Sequence, residues 1–209
     1  MEELLRDDHS AVEPEATEGV GLAPKVPSLP GDTGFWTFIA ADATLFALLF
    51  FQFSLDRSSH VSVFDQGQRG LLVQLGAANT VVLVTSSWLL ASAVRSSHRG
   101  QAHRATRLIG ATAALGVVFA ILKVTEYQIE WSSGHTFSAN AFFMYYFVIT
   151  GIHLLHLTVG VIALVVIGFR VRRDNYSSRD RVIFECGAAY WHLIDLLWMF
   201  IFPLIYLAR

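Results

Sequence analysis

The sequence predicts an all-α fold, a polytopic membrane protein formed by a bundle of five transmembrane helices, and two observations carry this prediction. Of the 209 residues, 54% are hydrophobic and only 15% are charged, whereas soluble domains average about 45–50% apolar and about 25% charged residues. The apolar excess is confined to five blocks, each near or above the ~20 residues that cross a bilayer. These blocks lie at about residues 35–55, 70–94, 108–128, 141–169 and 184–206.

Residues 1–31 differ from the rest of the chain in composition. They are acidic, contain four of the five prolines and show no hydrophobic periodicity, which is typical of segments that form no packed core. They also lack the basic start and apolar run of a secretory signal. We therefore predict a flexible cytoplasmic tail over residues 1–31 and a single membrane domain over residues 32–209.

The charges of the loops predict an orientation, because Lys and Arg collect on the cytoplasmic side of membrane proteins. The second loop carries four arginines and the fourth carries five, whereas the third carries no Lys or Arg. The first loop, with two arginines, fits this alternation least well. We predict a cytoplasmic N-terminus and an external C-terminus. The net charge of −2 indicates no nucleic-acid partner.

Ionisable residues inside the fourth and fifth blocks form the first candidate site. Glu185, His192 and Asp195 are spaced by seven and three residues, which places them on one helix face. The opposite face, with Leu193, Leu197 and Ile201, is expected to meet lipid or another subunit. His153 and His156 lie near the middle of the preceding block. Since a short loop joins the two blocks, we expect all five polar residues to meet as an intramembrane polar network.

Three interpretations of this network remain open at the level of sequence. The side chains satisfy one another by interhelical hydrogen bonds, they bind iron, manganese or zinc, or they conduct protons. Carboxylate-bridged metal bundles use Glu-x-x-His on two helices, a motif that this sequence lacks. The metal interpretation gives an alternative function, a stand-alone membrane metalloenzyme.

Three further ionisable residues lie within apolar blocks. Asp42, in the first block, is either a functional carboxylate or a protonated one bonded to a hydroxyl such as that of Thr85. Lys123 and Glu126 are three residues apart near the end of the third block. They form an ion pair at a helix end, or Glu126 meets lipid or a partner.

Three segments of the chain resemble subunit III of the haem-copper oxidases over about residues 30–208. FVITGIHLLHLTVG resembles the family's TGxHxxHxxxG block, FECGAAYWHLIDLLWMFIFPLIY its closing ExxxxYWHxxDxxWxxxxxxxY block, and LKVTEY its glutamate-tyrosine pair. The sequence of the segment PGDTGFWTFIAADATLFALLFF is similar to that of the short, five-helix branch of the family, which includes NorE-like proteins associated with nitric oxide reductases.

The resemblance implies a role rather than a reaction. Such a subunit carries no cofactor or catalytic centre of its own, so haem and copper, or non-haem iron, are expected in the catalytic subunit I against which it packs. It also implies bound phospholipid, and support of assembly, stability and proton uptake in respiratory electron transport. Asp42 falls where the family has a membrane-buried glutamate, and Glu126 falls on the family's helix-terminal glutamate. Similarity to the short branch implies a bacterial inner membrane. Long members have two further helices before this region, which border a lipid-filled cleft; this chain lacks those two helices, so the resemblance does not carry over a complete lipid cleft.

Overall fold

The structure, a computed structural model, describes residues 31–172 and 177–208, and it confirms the all-α fold. These residues contain no strand, and five of their helices are long and apolar enough to span a membrane. The helices are α1 (Thr33–Ser59), α2 (Val61–Gly70), α3 (Val73–His98), α4 (Ala102–Ser132), α5 (Ala141–Val171) and α6 (Ser178–Phe202). All except the short α2 are spans. The predicted tail lies outside the described residues except for Gly31.

Polar side chains begin three of the spans. Asp32 and Asn140 each accept a hydrogen bond from a backbone N–H in the first turn of α1 and α5. Ser177 and Asp180 form a reciprocal capping box at the start of α6. These bonds satisfy N–H groups that have no partner inside the helix. The ends of all five spans lie within about six residues of the predicted boundaries.

The fifth span continues beyond α6 as a π-helical turn over Pro203–Leu207. Pro203 has no N–H to donate, so the regular α-helical ladder cannot continue through it. The wider turn keeps Ile205 and Tyr206 buried. It also frees the carbonyl of Leu204, which accepts a hydrogen bond of 3.2 Å from Gln68 Nε2 on α2.

The segment between the first two spans, which we predicted to be a loop, contains helix α2. Its buried side is formed by Phe64, Gly67 and Gln68, and it packs on the start of α5 and on the π-helical turn. A Cβ atom at Gly67 would lie 2.2 Å from the ring of Phe142. A glycine is therefore required at this contact, and α2 owes its position to tertiary packing rather than to its own ten residues.

Two tryptophans of α6 form the centre of the bundle. Trp191 and Trp198 are fully buried, and each indole N–H donates to a hydroxyl of α3, to Ser86 at 3.1 Å and to Thr80 at 3.0 Å. Such paired polar groups and small residues are what hold helices together in lipid, where burial of apolar surface drives little association. The α6 helix accordingly lies between α3 and α5.

This central position corrects the lipid-facing side that we predicted for α6. Leu197 and Ile201 are buried in the bundle, and Leu193 is partly buried. The exposed residues of α6 in the membrane are instead Leu196, Met199 and Phe200. The prediction failed because it assumed that the side opposite the ionisable residues faces lipid, whereas neighbouring helices cover α6 on several sides.

Candidate functional site

Asp42 of α1 pairs with His156 of α5 inside the membrane. The distance from Asp42 Oδ1 to His156 Nε2 is 2.9 Å, and the Asp42 side chain is almost completely buried. His156 Nδ1 lies 2.7 Å from the carbonyl of Ile152, which can only accept, so Nδ1 carries a proton. The Asp42–His156 contact therefore shares one further proton between a carboxylate and an imidazole.

The structure thus gives Asp42 a partner that neither sequence interpretation named. Thr85 donates to the carbonyl of Val81 in its own helix, at 2.7 Å, and has no bond to Asp42. Asp42 Oδ2 is buried and has no hydrogen-bond partner among the described residues. The ring of Phe46 meets that of His156 edge to face at 5.6 Å and shields the pair from one side.

Lys123 and Glu126 form a second site, and the structure buries both completely. The ammonium of Lys123 donates to Glu126 Oε2 at 3.2 Å and to the hydroxyls of Tyr146 and Tyr206 at 3.2 and 2.6 Å. Both hydroxyls in turn donate to Glu126 Oε1, at 2.9 and 2.5 Å. All three ammonium protons and both carboxylate oxygens are therefore satisfied in one closed cluster, which we call the Lys123 cluster.

The Lys123 cluster lies deeper than the helix end at which we placed the pair. Lys123 precedes Ser132, the last residue of α4, by nine residues, or about 14 Å at ~1.5 Å per residue. Four aromatic rings also surround the ammonium, with centroids 4.5 to 5.5 Å away, from Tyr127, Tyr146, Trp198 and Tyr206. These contacts stabilise a cation in a site that is otherwise apolar.

The five residues of the predicted polar network do not all meet in one cluster in the structure. Glu185 Oε1 lies 2.8 Å from His98 Nε2 of α3, and His192 Nδ1 lies 2.5 Å from Ser87 Oγ, also of α3. His156 belongs to the Asp42 pair. His153 is fully buried, and neither ring nitrogen has a hydrogen-bond partner among the described residues.

Asp195, like His153, lacks well-formed hydrogen bonds. Both of its oxygens are buried, and neither has a partner with acceptable hydrogen-bond geometry in the described part of the chain. The hydroxyl of Ser87 is close enough to interact with this carboxyl, but its well-formed contact is the one with His192. The structure thus brings Ser87, His192 and Asp195 together between α3 and α6.

The sequence analysis identified the ionisable residues of these sites but not the side chains that form hydrogen bonds with them. Ser87, His98, Tyr146 and Tyr206 each bind a predicted site residue across a helix boundary. His98 could have been predicted from its depth in the membrane, because it ends α3 on the side where α6 begins, and Glu185 lies two turns into α6. No group of three or more His, Cys, Asp or Glu side chains placed to hold a metal ion occurs among the described residues.

A surface groove of about 420 Å³ lies between α1, α5 and α6. Apolar and aromatic side chains such as Phe35, Phe38 and Tyr190 line most of it, and Arg170 stands among them. Arg170 contacts Asp180 at 3.4 Å but remains substantially exposed. The groove therefore combines a long apolar wall with one cation near the end of a span.

A family model described as cytochrome c oxidase subunit III matches residues 31–208, which include every described helix. The chain belongs to the cytochrome c oxidase subunit III family. Subunits of this family come from haem-copper oxidases, and this chain is accordingly a multi-pass membrane protein of the subunit III type. The resemblance of its histidine and closing motifs to that family is confirmed.

Individual relatives are similar to this subunit III over most of its length. The cytochrome bo(3) ubiquinol oxidase subunit 3 of Pseudomonas aeruginosa is 25% identical over 174 residues, which cover 83% of each chain. The cytochrome c oxidase subunit 3 of a Synechocystis strain is 28% identical over 83% of this chain and 74% of its own. The subunit 3 of Ovis aries is 34% identical, over 61% of this chain and 48% of its own.

Proposed function

We propose that this subunit III is a non-catalytic, membrane-embedded component of a haem-copper oxidase, or of a related nitric oxide reductase. It packs against the catalytic subunit and supports the assembly, stability and proton uptake of that subunit. Haem and copper, or non-haem iron, belong to the partner. The observation that carries the proposal is the family match over residues 31–208, together with a five-span bundle of the same extent.

Support of proton uptake is the role that the Asp42–His156 pair suits best. The pair can share one exchangeable proton between a carboxylate and an imidazole, and it lies about 14 Å along α1 from Thr33. Intramembrane ionisable residues mark proton or ion routes by default. Because α1 is the least buried of the five spans, the pair lies close to a surface on which a partner subunit can bind.

The arginine-rich loops support a cytoplasmic N-terminus for this subunit, and its resemblance to the short five-helix branch supports a bacterial inner membrane. With that orientation the groove beside Arg170 opens in the cytoplasmic leaflet. An apolar wall next to a guanidinium suits a phospholipid, whose acyl chain packs on Phe35 and Phe38 and whose phosphate pairs with Arg170. We therefore include bound phospholipid in the proposed function.

Affinity capture of the tagged subunit from its native membrane tests the proposed function. We expect a large haem protein to be recovered with it, detected by its reduced-minus-oxidised absorption spectrum. Recovery of the subunit alone, with stoichiometric iron, manganese or zinc bound to it, would favour the metalloenzyme alternative and contradict the proposal. Metal analysis of the subunit, separated from the haem protein, distinguishes the two.

Substitution of Asp42 tests the proton role. A hydrophobic carbodiimide modifies protonated carboxyl groups in lipid, so we expect a labelled peptide that contains Asp42 in the wild-type subunit and no label on that peptide in Asp42→Asn. The complex that carries Asp42→Asn should retain most of its turnover. Asp195→Asn is the matched control, because Asp195 is equally buried and its loss should leave the labelling of the Asp42 peptide unchanged. Complete loss of turnover in a fully assembled Asp42→Asn complex would mean that Asp42 belongs to an essential proton path.

A further inference from the structure

One histidine is enclosed by the bundle without a hydrogen-bond partner. The side chain of His153 on α5 is completely buried, and neither Nδ1 nor Nε2 has a partner among the described residues. A neutral imidazole has one N–H donor and one acceptor, and a protonated imidazole has two donors. Because buried polar groups in proteins almost always form hydrogen bonds, His153 requires a partner in either form.

The side chain of Asn79 on α3 is in the same condition. It is completely buried, and neither its amide nitrogen nor its amide oxygen has a partner in the described part of the chain. Such an amide has two donor protons and an accepting oxygen. The buried carboxyl of Asp195 differs from these two groups, because the hydroxyl of Ser87 is close enough to interact with it.

His153 belongs to a group of three buried rings that come from three different spans. Its ring lies 5.2 Å from the ring of Trp198 on α6 and 5.7 Å from that of Phe119 on α4, measured between centroids. The Phe119 and Trp198 rings meet each other edge to face at 4.8 Å. The imidazole is therefore held between two aromatic side chains that cannot accept or donate a conventional hydrogen bond at its ring nitrogens.

Asn79 lies at the same depth in the bundle as these rings. The hydroxyl of Thr112 on α4 donates to the carbonyl of Ser86 on α3 at 3.4 Å. The two helices run in opposite directions, and two turns further from the loop that joins them lie Asn79 on α3 and Phe119 on α4. Asn79 and the three rings thus form one buried layer, which we call the Trp198 layer.

The surroundings of the Trp198 layer identify the ligand that fits it. Lipid and partner subunits do not reach atoms that the protein encloses on all sides. The ammonium of Lys123 lies 5.5 Å from the Trp198 ring centroid, so a second cation in this layer would be repelled. Water is small, carries no charge, and both donates and accepts hydrogen bonds. It therefore complements an imidazole and an amide alike.

We propose that ordered water molecules bind inside the Trp198 layer, to the ring nitrogens of His153 and to the amide of Asn79. These water molecules lie next to the Lys123 cluster, because the Trp198 ring contacts both the imidazole and the ammonium. The centre of the bundle is then polar over two adjacent layers. This inference is independent of the proposed function, because it concerns only the interior of this chain.

X-ray radiolysis of the full-length subunit, captured from its native membrane, tests for the bound water. The X-rays convert bound water to hydroxyl radicals, which oxidise adjacent side chains that bulk solvent does not reach. We expect Trp198 to be oxidised about fivefold or more faster than Trp191. Trp191 is the matched control, because it lies on the same helix, is completely buried and also donates to a hydroxyl of α3. Equal oxidation of the two tryptophans would overturn the inference.

Apolar substitutions test the two binding residues. His153→Phe and Asn79→Leu remove the polar atoms and keep roughly the size of each side chain, so we expect each to slow the oxidation of Trp198 towards the rate of Trp191. Leu83→Met is the control, because Leu83 is buried one turn along α3 from Asn79 and a swap of this kind preserves volume. It should leave the oxidation of Trp198 unchanged.

The stability of the same variants separates a hydrated layer from a dry one. In a dry layer the two substitutions remove unpaired polar groups and should stabilise the bundle, whereas in a hydrated layer they remove hydrogen bonds to water and should destabilise it. We therefore expect both to lower the concentration of denaturing detergent at which half of the subunit unfolds. A raised midpoint in both variants, or oxidation of Trp198 that neither variant slows, would contradict bound water. For a variant that does not fold, the comparison of Trp198 with Trp191 in the wild type decides.

Discussion

Removal of either charge of the Lys123 cluster should destabilise the bundle, and we expect the loss of Glu126 to cost more free energy than the loss of Lys123. Glu126→Gln leaves the Lys123 ammonium fully buried without its counter-ion, and it places an NH₂ donor where one of the two accepting carboxylate oxygens had been. Breaking a buried ion pair in this way costs about 3–5 kcal/mol. Lys123→Met leaves Glu126 with two hydroxyl donors, and so we expect a smaller loss of about 1–3 kcal/mol.

The double variant Lys123→Met/Glu126→Gln removes both charges together. Since neither charge is then left unpaired, its loss of stability should be well below the sum of the two single losses, with a coupling of about 2 kcal/mol or more. Stability is measured by titrating the purified subunit in mixed micelles with a denaturing detergent and following its helical circular dichroism.

The half-buried pair of Arg57 and Asp65, 3.3 Å apart near the C-terminal end of α1, is the control for this cycle. Asp65→Asn should cost about 1 kcal/mol or less, because water reaches both side chains and screens their contact. Additive losses in the double variant, or a larger loss for Lys123→Met than for Glu126→Gln, would refute the assignment of a charged, mutually compensating pair.

Two further predictions concern orientation and packing. Reporter fusions should report the cytoplasm, the outside and the cytoplasm in turn at Gly100, Gly134 and Ser177, and an external signal at the first would reverse the proposed orientation. Gly116→Ala should cost about 1–3 kcal/mol in the same detergent titration, because its Cβ would lie 2.7 Å from Trp191 and 2.8 Å from Val161. Gly110→Ala, which meets no atom within 4 Å, should be neutral, and equal effects of the two would argue against the packing around Trp191.

The number and the extent of the spans were predictable, because each apolar block must satisfy its backbone within a helix to cross a membrane. Helix α2 was not, since its ten residues are amphipathic and its position depends on the contact of Gly67 with Phe142. A short helix of this kind gains its stability from tertiary packing, which the local sequence does not contain.

The partners of the site residues were also unpredictable, for a reason that lies in the composition of the spans. A soluble helix shows its buried side as an apolar stripe, but a membrane span is apolar all round. The rotation of each span, and hence the meeting of Lys123 with Tyr206, is decided by packing. Sequence spacing correctly placed Lys123 beside Glu126 because both lie on one helix. It grouped His192 with His153, although the first contacts Ser87 and the second lies between the rings of Phe119 and Trp198.

The proton role proposed for Asp42 falls on a residue that also anchors α1. In lipid, apolar burial supplies little force to hold α1 against the bundle, and its polar contacts with α5 include the Asp42–His156 pair and a hydrogen bond from Tyr145 to Asp56 nearer the other end. Because His156 Nδ1 is committed to a carbonyl, a neutral His156 accepts at Nε2. The amide of Asp42→Asn can donate to that nitrogen and preserve the anchor, whereas Asp42→Leu cannot. A difference in assembly between these two variants therefore measures the anchor, and any effect that they share measures the lost proton.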